Sequence, residues 1–331
     1  MMNLKFELKK EETTNFKEAV KRAAEFLKRE NNFCFLCHKN LDGDTIGASF
    51  ALHYALKSLN KNSVVKTFEN EFSEKFSFVY PEENAKDENF KVAHYVTVDV
   101  ANFKLLEDEF HNKEFSLCID HHKTNNINAK LKCLDFTKAA SCEIVYHILK
   151  ELNLNFTKKI ADCLYLGIST DTGCFKYENT TAKTHIIAAD LILNGANHSY
   201  INYVMFDKKS KERLNLEKEI IENLEYYYEE KCVIVFVTNE ILKKAGVLKK
   251  EQDSIAHIAS CVDFAVIAIT AVEVLDGFKI SVRTKKNCDA NCFCKRLGGG
   301  GHKRAAGCLI KGDIEFVRKT LLKNLKEEFS F

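Results

Sequence analysis

The first two hundred residues alternate short apolar runs with amphipathic stretches, and this alternation limits the fold more than any other feature of the chain. Phe16, Val20, Ala24 and Leu27 recur at helical spacing, and the apolar run Phe33 to Cys37 follows directly. A second helical pattern starts near Thr45 with Leu52, Leu56 and Leu59 on one face, and further strand-like runs occupy Tyr95 to Val98 and Phe115 to Ile119. Runs too short to be helices, separated by periodic helical segments, predict a parallel sheet covered by helices. Helical spacing returns around Ile160, Leu164 and Ile168, then from Lys183 to Asn194, where Gly195 is placed to cap a C-terminus.

At 331 residues the chain exceeds what one hydrophobic core usually holds, so two domains are expected. The first is assigned to residues 1–205. From Asp207 to Glu230 the chain is highly charged, has helical spacing and contains neither Gly nor Pro. Residues 206–230 are therefore expected to form a connecting helix rather than a flexible linker. Val233 to Val237, Phe264 to Val274 and Phe278 to Val282 predict strands, and Ile314, Val317, Leu321 and Leu325 predict a closing amphipathic helix. Residues 231–331 are thus expected to be a smaller second α/β domain.

Met1 to Lys10 mix Lys and Glu with apolar residues, and no later stretch approaches the roughly 20 apolar residues of a bilayer span. Secretion and membrane insertion are not expected. Thirteen cysteines, an odd number without a signal peptide, read as reduced thiols in the cytoplasm. A formal net charge of +2 is far from the basic balance needed to grip long duplex nucleic acid through many phosphates.

Three apparent strands end in acidic or histidine residues: His38, Asp42 and Asp44 after the first, Asp99 after another, and Asp120, His121 and His122 after the third. Groups at the carboxyl ends of strands in an open α/β sheet converge on one crevice. The turn-prone segment Gly167 to Gly173 adds Asp171. Imidazole mixed with hard oxygen donors suits Mn²⁺ or Mg²⁺, and the lack of cysteine argues against structural zinc. So many carboxylates around one ion would repel one another, so two ions are expected. A pair about 3.5–4 Å apart generates hydroxide and stabilises the entering and leaving oxygens of in-line phosphoryl displacement. Each piece has a plainer reading: a turn in which Asp44 caps the next helix, a structural Asp99, a polar turn at residues 120–122. It is their joint placement that favours a site.

Gly298 to Gly301 precede His302, Lys303 and Arg304. Four successive glycines carry a large unfolded-state entropy, which suggests a close backbone approach, with an anion as the visitor. Amides at Gly299, Gly300 and Gly301, with His302, Lys303 or Arg304 nearby, would cradle a phosphate, and Arg283 offers a bidentate fork. The spacing matches neither a P-loop nor a dinucleotide fingerprint, and a surface hairpin is the plain alternative. Cys288, Cys292 and Cys294 lack Cys-x-x-Cys spacing and read as ordinary thiols.

Together these motifs resemble the DHH phosphoesterases, whose defining triad reads here as Asp120, His121 and His122. His38 to Asp44 is similar to the family's first motif, Asp99 to its second, Asp120 to Asn125 to its third and Gly167 to Phe175 to its fourth. Gly298 to Gly307 is similar to the signature of the DHH-associated C-terminal domain of nanoRNases and 3′-phosphoadenosine 5′-phosphate phosphatases. Leu41 stands where the family often has Pro, Val100-Ala101 where a hydroxyl residue is common, and an acidic, glycine-containing segment of nanoRNases is not intact at Glu251 to Ala256.

The resemblance implies a parallel-sheet N-terminal domain joined by a helical linker to a smaller α/β domain, with the active site in the interdomain cleft. It implies that His38, Asp42 and Asp99 hold one Mn²⁺ and that Asp44, Asp99, His121 and Asp171 hold the other. Asp120 would orient a ligand, His122 would meet the scissile phosphate or the leaving oxygen, and Arg283, Gly299, Gly300, Gly301 and His302 would bind substrate. The expected activity is hydrolysis of short RNA, with 3′-phosphoadenosine 5′-phosphate as a second substrate. Alternatives are a cyclic or linear dinucleotide phosphodiesterase, an inorganic pyrophosphatase, which the glycine-rich segment speaks against, and an inactive nucleotide-binding regulator. A homodimer is allowed.

Overall fold

The computed structural model describes residues 14–67, 74–80, 91–247 and 255–329. The chain divides into two compact units, Met1–Lys208 and Lys209–Phe331. Met1 to Lys10, read above for targeting signals, and most of the segment at Glu251 to Ala256 lie outside the described residues. No described helix is long and apolar enough to cross a membrane.

In the first unit α1 (Thr14–Arg29) buries Phe16, Val20, Ala24 and Leu27, the predicted face. It leads to β1 (Phe33–Leu36), α2 (Gly43–Ser58), β2 (Ser63–Lys66), β3 (His94–Val98), β4 (Phe115–Asp120) and β5 (Ala129–Leu134). The strands form one all-parallel sheet in the order β2-β1-β3-β4-β5. The edge strands β2 and β5 escaped the sequence reading because they are largely unburied, β2 being only four residues long and β5 interleaving lysines, whereas β1 and β4 are buried throughout. β1 lies between β2 and β3, so successive connections leave it in opposite directions, which opens a crevice at the carboxyl ends of β1 and β3.

Helices α3 (Ser141–Glu151), α4 (Lys158–Asp171), α5 (Ala182–Leu193) and α6 (His198–Asn202) complete the unit. Thr181 opens α5 with a capping box, and Gly195, at φ +92°, follows its C-cap Asn194. α2 and α4 meet almost backbone to backbone. A Cβ on Gly47 would lie 2.3 Å from the Cys163 carbonyl oxygen, and one on Gly167 would lie 2.6 Å from Asp44 Oδ1. These glycines bring the start of α2 and the end of α4, which carry Asp44 and Asp171, to one place.

The second unit comprises α7 (Lys211–Glu222), β6 (Glu225–Tyr227), β7 (Cys232–Val237), α8 (Asn239–Ala245), α9 (Ala256–Ser260), β8 (Ile267–Val274), β9 (Gly277–Thr284), α10 (Ala290–Arg296), β10 (Gly300–Gly301), β11 (Ala305–Lys311) and α11 (Ile314–Phe329). Its sheet runs β10-β11-β9-β8-β7-β6, antiparallel except for β7 beside β8. The helix expected over residues 206–230 is shorter. Ser210 caps α7, Asn223 ends it, and Glu225–Tyr227 pair with β7 as an edge strand. The run Tyr226 to Tyr228 favours a strand over a helix. α7 is also not a bare connector, since Leu216 and Ile220 are buried with Val233, Val235 and Leu242 of its own unit.

Candidate metal centre

His38 follows β1 and is buried. Asp42 is the N-cap of α2, its Oδ1 accepting from the amides of Asp44 (3.0 Å) and Thr45 (3.1 Å). The helix is therefore capped as the plain reading required, but by Asp42 rather than Asp44. Asp44, fully buried in the first turn of α2, accepts from the amides of Ser141 (2.6 Å) and Cys142 (2.9 Å) at the start of α3. Asp99 sits one residue past β3 at φ +61°, a left-handed conformation that Asp tolerates better than most residues. Its amide still donates to the Ile119 carbonyl at 2.9 Å, which fixes it to the sheet.

Asp120, the last residue of β4, is fully buried and already occupied. Its Oδ1 accepts from the amide of His121 (2.8 Å) and from His122 Nδ1 (2.7 Å), and its Oδ2 accepts from Asn125 Nδ2 (2.6 Å). It shapes the turn that carries both histidines. His121 Nδ1 donates to the Lys138 carbonyl at 3.2 Å, which turns Nε2 toward the carboxylates.

The predicted ligands converge. His38 Nε2 lies 3.3 Å from Asp42 Oδ2 and 3.6 Å from Asp99 Oδ2. His121 Nε2 lies 3.2 Å from Asp171 Oδ2, 3.5 Å from Asp99 Oδ1 and 4.0 Å from Asp44 Oδ2. His122 Nδ1 is 3.6 Å from Asp99 Oδ1. Among the described residues three groups have ligand atoms within 4.8 Å of one another: His38, Asp42 and Asp99; Asp44, His121 and Asp171; and Asp99, His121 and His122. Asp99 turns one oxygen to each side.

The donors fit divalent cations. His121 Nε2 is buried, faces three carboxylates and has no hydrogen-bond partner, an unsatisfied state that a cation among these groups would relieve. The electrostatics agree. Burial, reinforced by Asp99 and Asp171, pushes the Asp44 carboxyl well above the carboxylate range. Burial also raises Asp171 to about 6 against the pull of His121. Burial opposes charge on His38 and His121, yet Asp42 with Asp99, and Asp171 with Asp44 and Asp99, raise both to about 10. Half-exposed His122 is raised by its hydrogen bond to Asp120. The negative charge of the cluster draws in protons where cations would serve.

Substrate residues of the second unit are arranged differently. Arg283, on β9, donates from Nη1 to the Val282 carbonyl and lines a cavity of about 210 Å³ with Ser260, Thr284, Lys285 and Arg304. Arg304 is committed to the carbonyls of Lys286 and Cys288. The glycine run has an intramolecular reason for its composition. A Cβ on Gly299 would lie 2.2 Å from the Gly307 carbonyl oxygen, and one on Gly301, at φ +150°, would lie 2.6 Å from the Ala305 oxygen. The close neighbour is the chain's own β11, paired with β10. A Cβ on Gly300 would meet only Asn291 Oδ1, at an ordinary contact distance of 3.9 Å, and His302 closes the hairpin with Ala305 at 2.7 Å. All thirteen cysteines are unpaired, and Cys288, Cys292 and Cys294 join none of the three metal-ready groups.

Residues 32–168 match the N-terminal domain of the DHH family. Among curated relatives, the bifunctional oligoribonuclease and PAP phosphatase of Thermus thermophilus is 28% identical over 319 residues, which is 95% of each chain. The protein of the same name from Bacillus subtilis is 26% identical, over 71% of this chain and 75% of its own. An exopolyphosphatase-related protein from Bacteroides fragilis has the same fold, with a TM-score of 0.83 at 20% identity over 94% of this chain and 96% of its own. RecJ of Thermus thermophilus, crystallised with Mn²⁺, aligns at a TM-score of 0.55 and 15% identity, over 95% of this chain and 54% of its own.

Proposed function

We propose that this chain is a cytoplasmic, Mn²⁺-dependent phosphoesterase that hydrolyses short oligoribonucleotides and 3′-phosphoadenosine 5′-phosphate. The class, a hydrolase of phosphoester bonds, is that of the family and of the curated relatives. The observation that carries the reading is Asp99, whose two oxygens face two separate ligand groups.

In this reading His38, Asp42 and Asp99 hold one ion, and Asp44, Asp99, His121 and Asp171 hold the second. Bound there, divalent ions supply Lewis-acid charge to a phosphoryl oxygen and to attacking water. The remaining tasks fall to the protein. Asp120 fixes the ring of His122 through Nδ1 and favours its protonated form, which suits His122 to stabilise the scissile phosphate or give a proton to the leaving oxygen. Arg283, Gly300 and His302 contact the phosphates of the substrate, Arg283 through the guanidinium donors not spent on the Val282 carbonyl, whereas the amides of Gly299 and Gly301 already donate to the Cys294 carbonyl at 2.8 Å and to Asn291 Oδ1 at 3.1 Å. A formal charge of +2 favours a substrate with few phosphates. The complete ligand set counts against an inactive regulator.

The test is turnover of 5′-labelled RNA dimers to pentamers, 3′-phosphoadenosine 5′-phosphate, linear and cyclic dinucleotides and pyrophosphate, each with Mn²⁺ and with chelator. Metal-dependent cleavage of the short RNAs is expected. Hydrolysis of pyrophosphate alone, or tight nucleotide binding without turnover in any metal, would overturn the proposal.

A further inference from the structure

Ser141 was not singled out by any motif, yet it touches two of the proposed ligands. It is fully buried at the first position of α3, and its hydroxyl donates to Asp99 Oδ1 at 2.9 Å. Its amide donates to Asp44 Oδ2 at 2.6 Å, beside the Cys142 amide on Asp44 Oδ1. These carboxylates come from different elements, the start of α2 and the end of β3. Ala140, at the N-cap position of α3, offers no side-chain cap. Asp44 takes that place from 97 residues away in sequence.

We infer that Ser141 is a positioning residue that locks the orientation of Asp99, so that one oxygen faces His38 and the other faces His121. The inference rests on the metal reading above. A carboxylate free to rotate about its terminal bond turns its plane away from groups on either side. The Ser141 hydroxyl donates to Asp99 Oδ1, and this bond fixes the plane of the carboxylate so that its two oxygens stay directed at the two groups at once. With Oδ1 held toward His121 Nε2 (3.5 Å), Oδ2 is left toward His38 Nε2 (3.6 Å). The amide bond to Asp44 ties the same residue to the second ligand group, so the spacing between Asp44 and Asp99 is set by one rigid helix start rather than by two loops.

Hydrogen bonds that orient metal ligands typically change metal affinity or activity about 10–100-fold when lost. The test is Mn²⁺ binding to metal-free protein, followed by the electron paramagnetic resonance signal of the free ion, in wild type, Ser141→Ala and Ser141→Thr. Ser49→Ala, which removes another buried hydroxyl, near Cys37, serves as the control. Ser141→Ala is expected to weaken the uptake of at least one ion about tenfold or more. Ser141→Thr, which keeps the hydroxyl, is expected to stay closer to wild type, and all variants are expected to melt within a few degrees of the control before metal is added. Wild-type affinity and stoichiometry in Ser141→Ala, or equal losses in Ser141→Ala and Ser49→Ala, would overturn the positioning role. Wild-type protein that takes up no Mn²⁺ would overturn the metal reading itself, and this inference with it.

Discussion

The two units handle charge in opposite ways. In the first, four carboxylates and three imidazoles gather from residues 38 to 171, His38, Asp44 and Asp99 are buried, and several are held by a second partner as well. In the second, the residues assigned to substrate lie within residues 283–302, on a strand and a two-stranded hairpin next to solvent. Buried charge of one sign needs a counter-charge or a proton, whereas exposed cations are screened by water and salt. The first unit is therefore built around a fixed cation demand. In the proposed reading the second meets an anion that comes and goes, and the two should then respond differently to perturbation.

The strongest way to break this contrast is Asp99→Ala. Losing the residue common to both ligand groups removes several kcal/mol of charge stabilisation, which corresponds to a fall in kcat of about 10³-fold or more. Steady-state kinetics, with a metal count by mass spectrometry, would check it, and a variant with a tenth of normal turnover would end the shared-ligand assignment. Arg283→Ala should act on the other side of the comparison. A charge-assisted hydrogen bond is worth about 1.5–3 kcal/mol, so KM for a short RNA should rise roughly 10–100-fold while metal content and kcat stay near normal.

Gly299 and Gly300 separate a structural glycine from one that meets substrate. Gly299→Ala drives a Cβ into the Gly307 carbonyl and should cost about 1–3 kcal/mol of stability, seen in thermal melts. Gly300→Ala makes only an ordinary contact, 3.9 Å from Asn291 Oδ1, so any effect there should fall on KM and not on the melt. The smallest expected effect is a pH dependence confined to the metal-free first unit. The folded-state pKa of Asp171 is raised from 3.8 to about 6, so its contribution is fully present below about 4 and is lost as pH rises through about 6. Metal-free protein should become less stable across that window, by on the order of 1 kcal/mol, and saturating Mn²⁺ should reverse the slope.

The centre was legible because its ligands are of distinctive residue types and stand at strand ends, where topology alone predicts convergence. His38, Asp42, Asp44, Asp99, His121 and Asp171 all meet. The groups that hold them were not legible, since a carbonyl such as that of Lys138 or an amide such as that of Cys142 has no residue-type signature. Ser141 looked like any serine at a helix start. In the fold, β2 was hidden by its shortness and β5 by its lysines, and α7 was overextended because the charged helical spacing runs on to where Glu225, Tyr226 and Tyr227 form an edge strand. The glycine run was read as a close backbone approach, and the structure adds the chain's own β11 as a neighbour, which composition could not name.

The long-range cap on α3 has a consequence for how the chain reaches its native state. α3 cannot satisfy its first amides with its own residues, so its start is completed only when α2 has docked and brought in Asp44. A collapsed intermediate with α2 misplaced leaves two buried donors unmet, at about 1–3 kcal/mol each. Asp44, a proposed ligand, is thus also part of what holds α2 against α3, so its replacement is expected to be felt in stability as well as at the site.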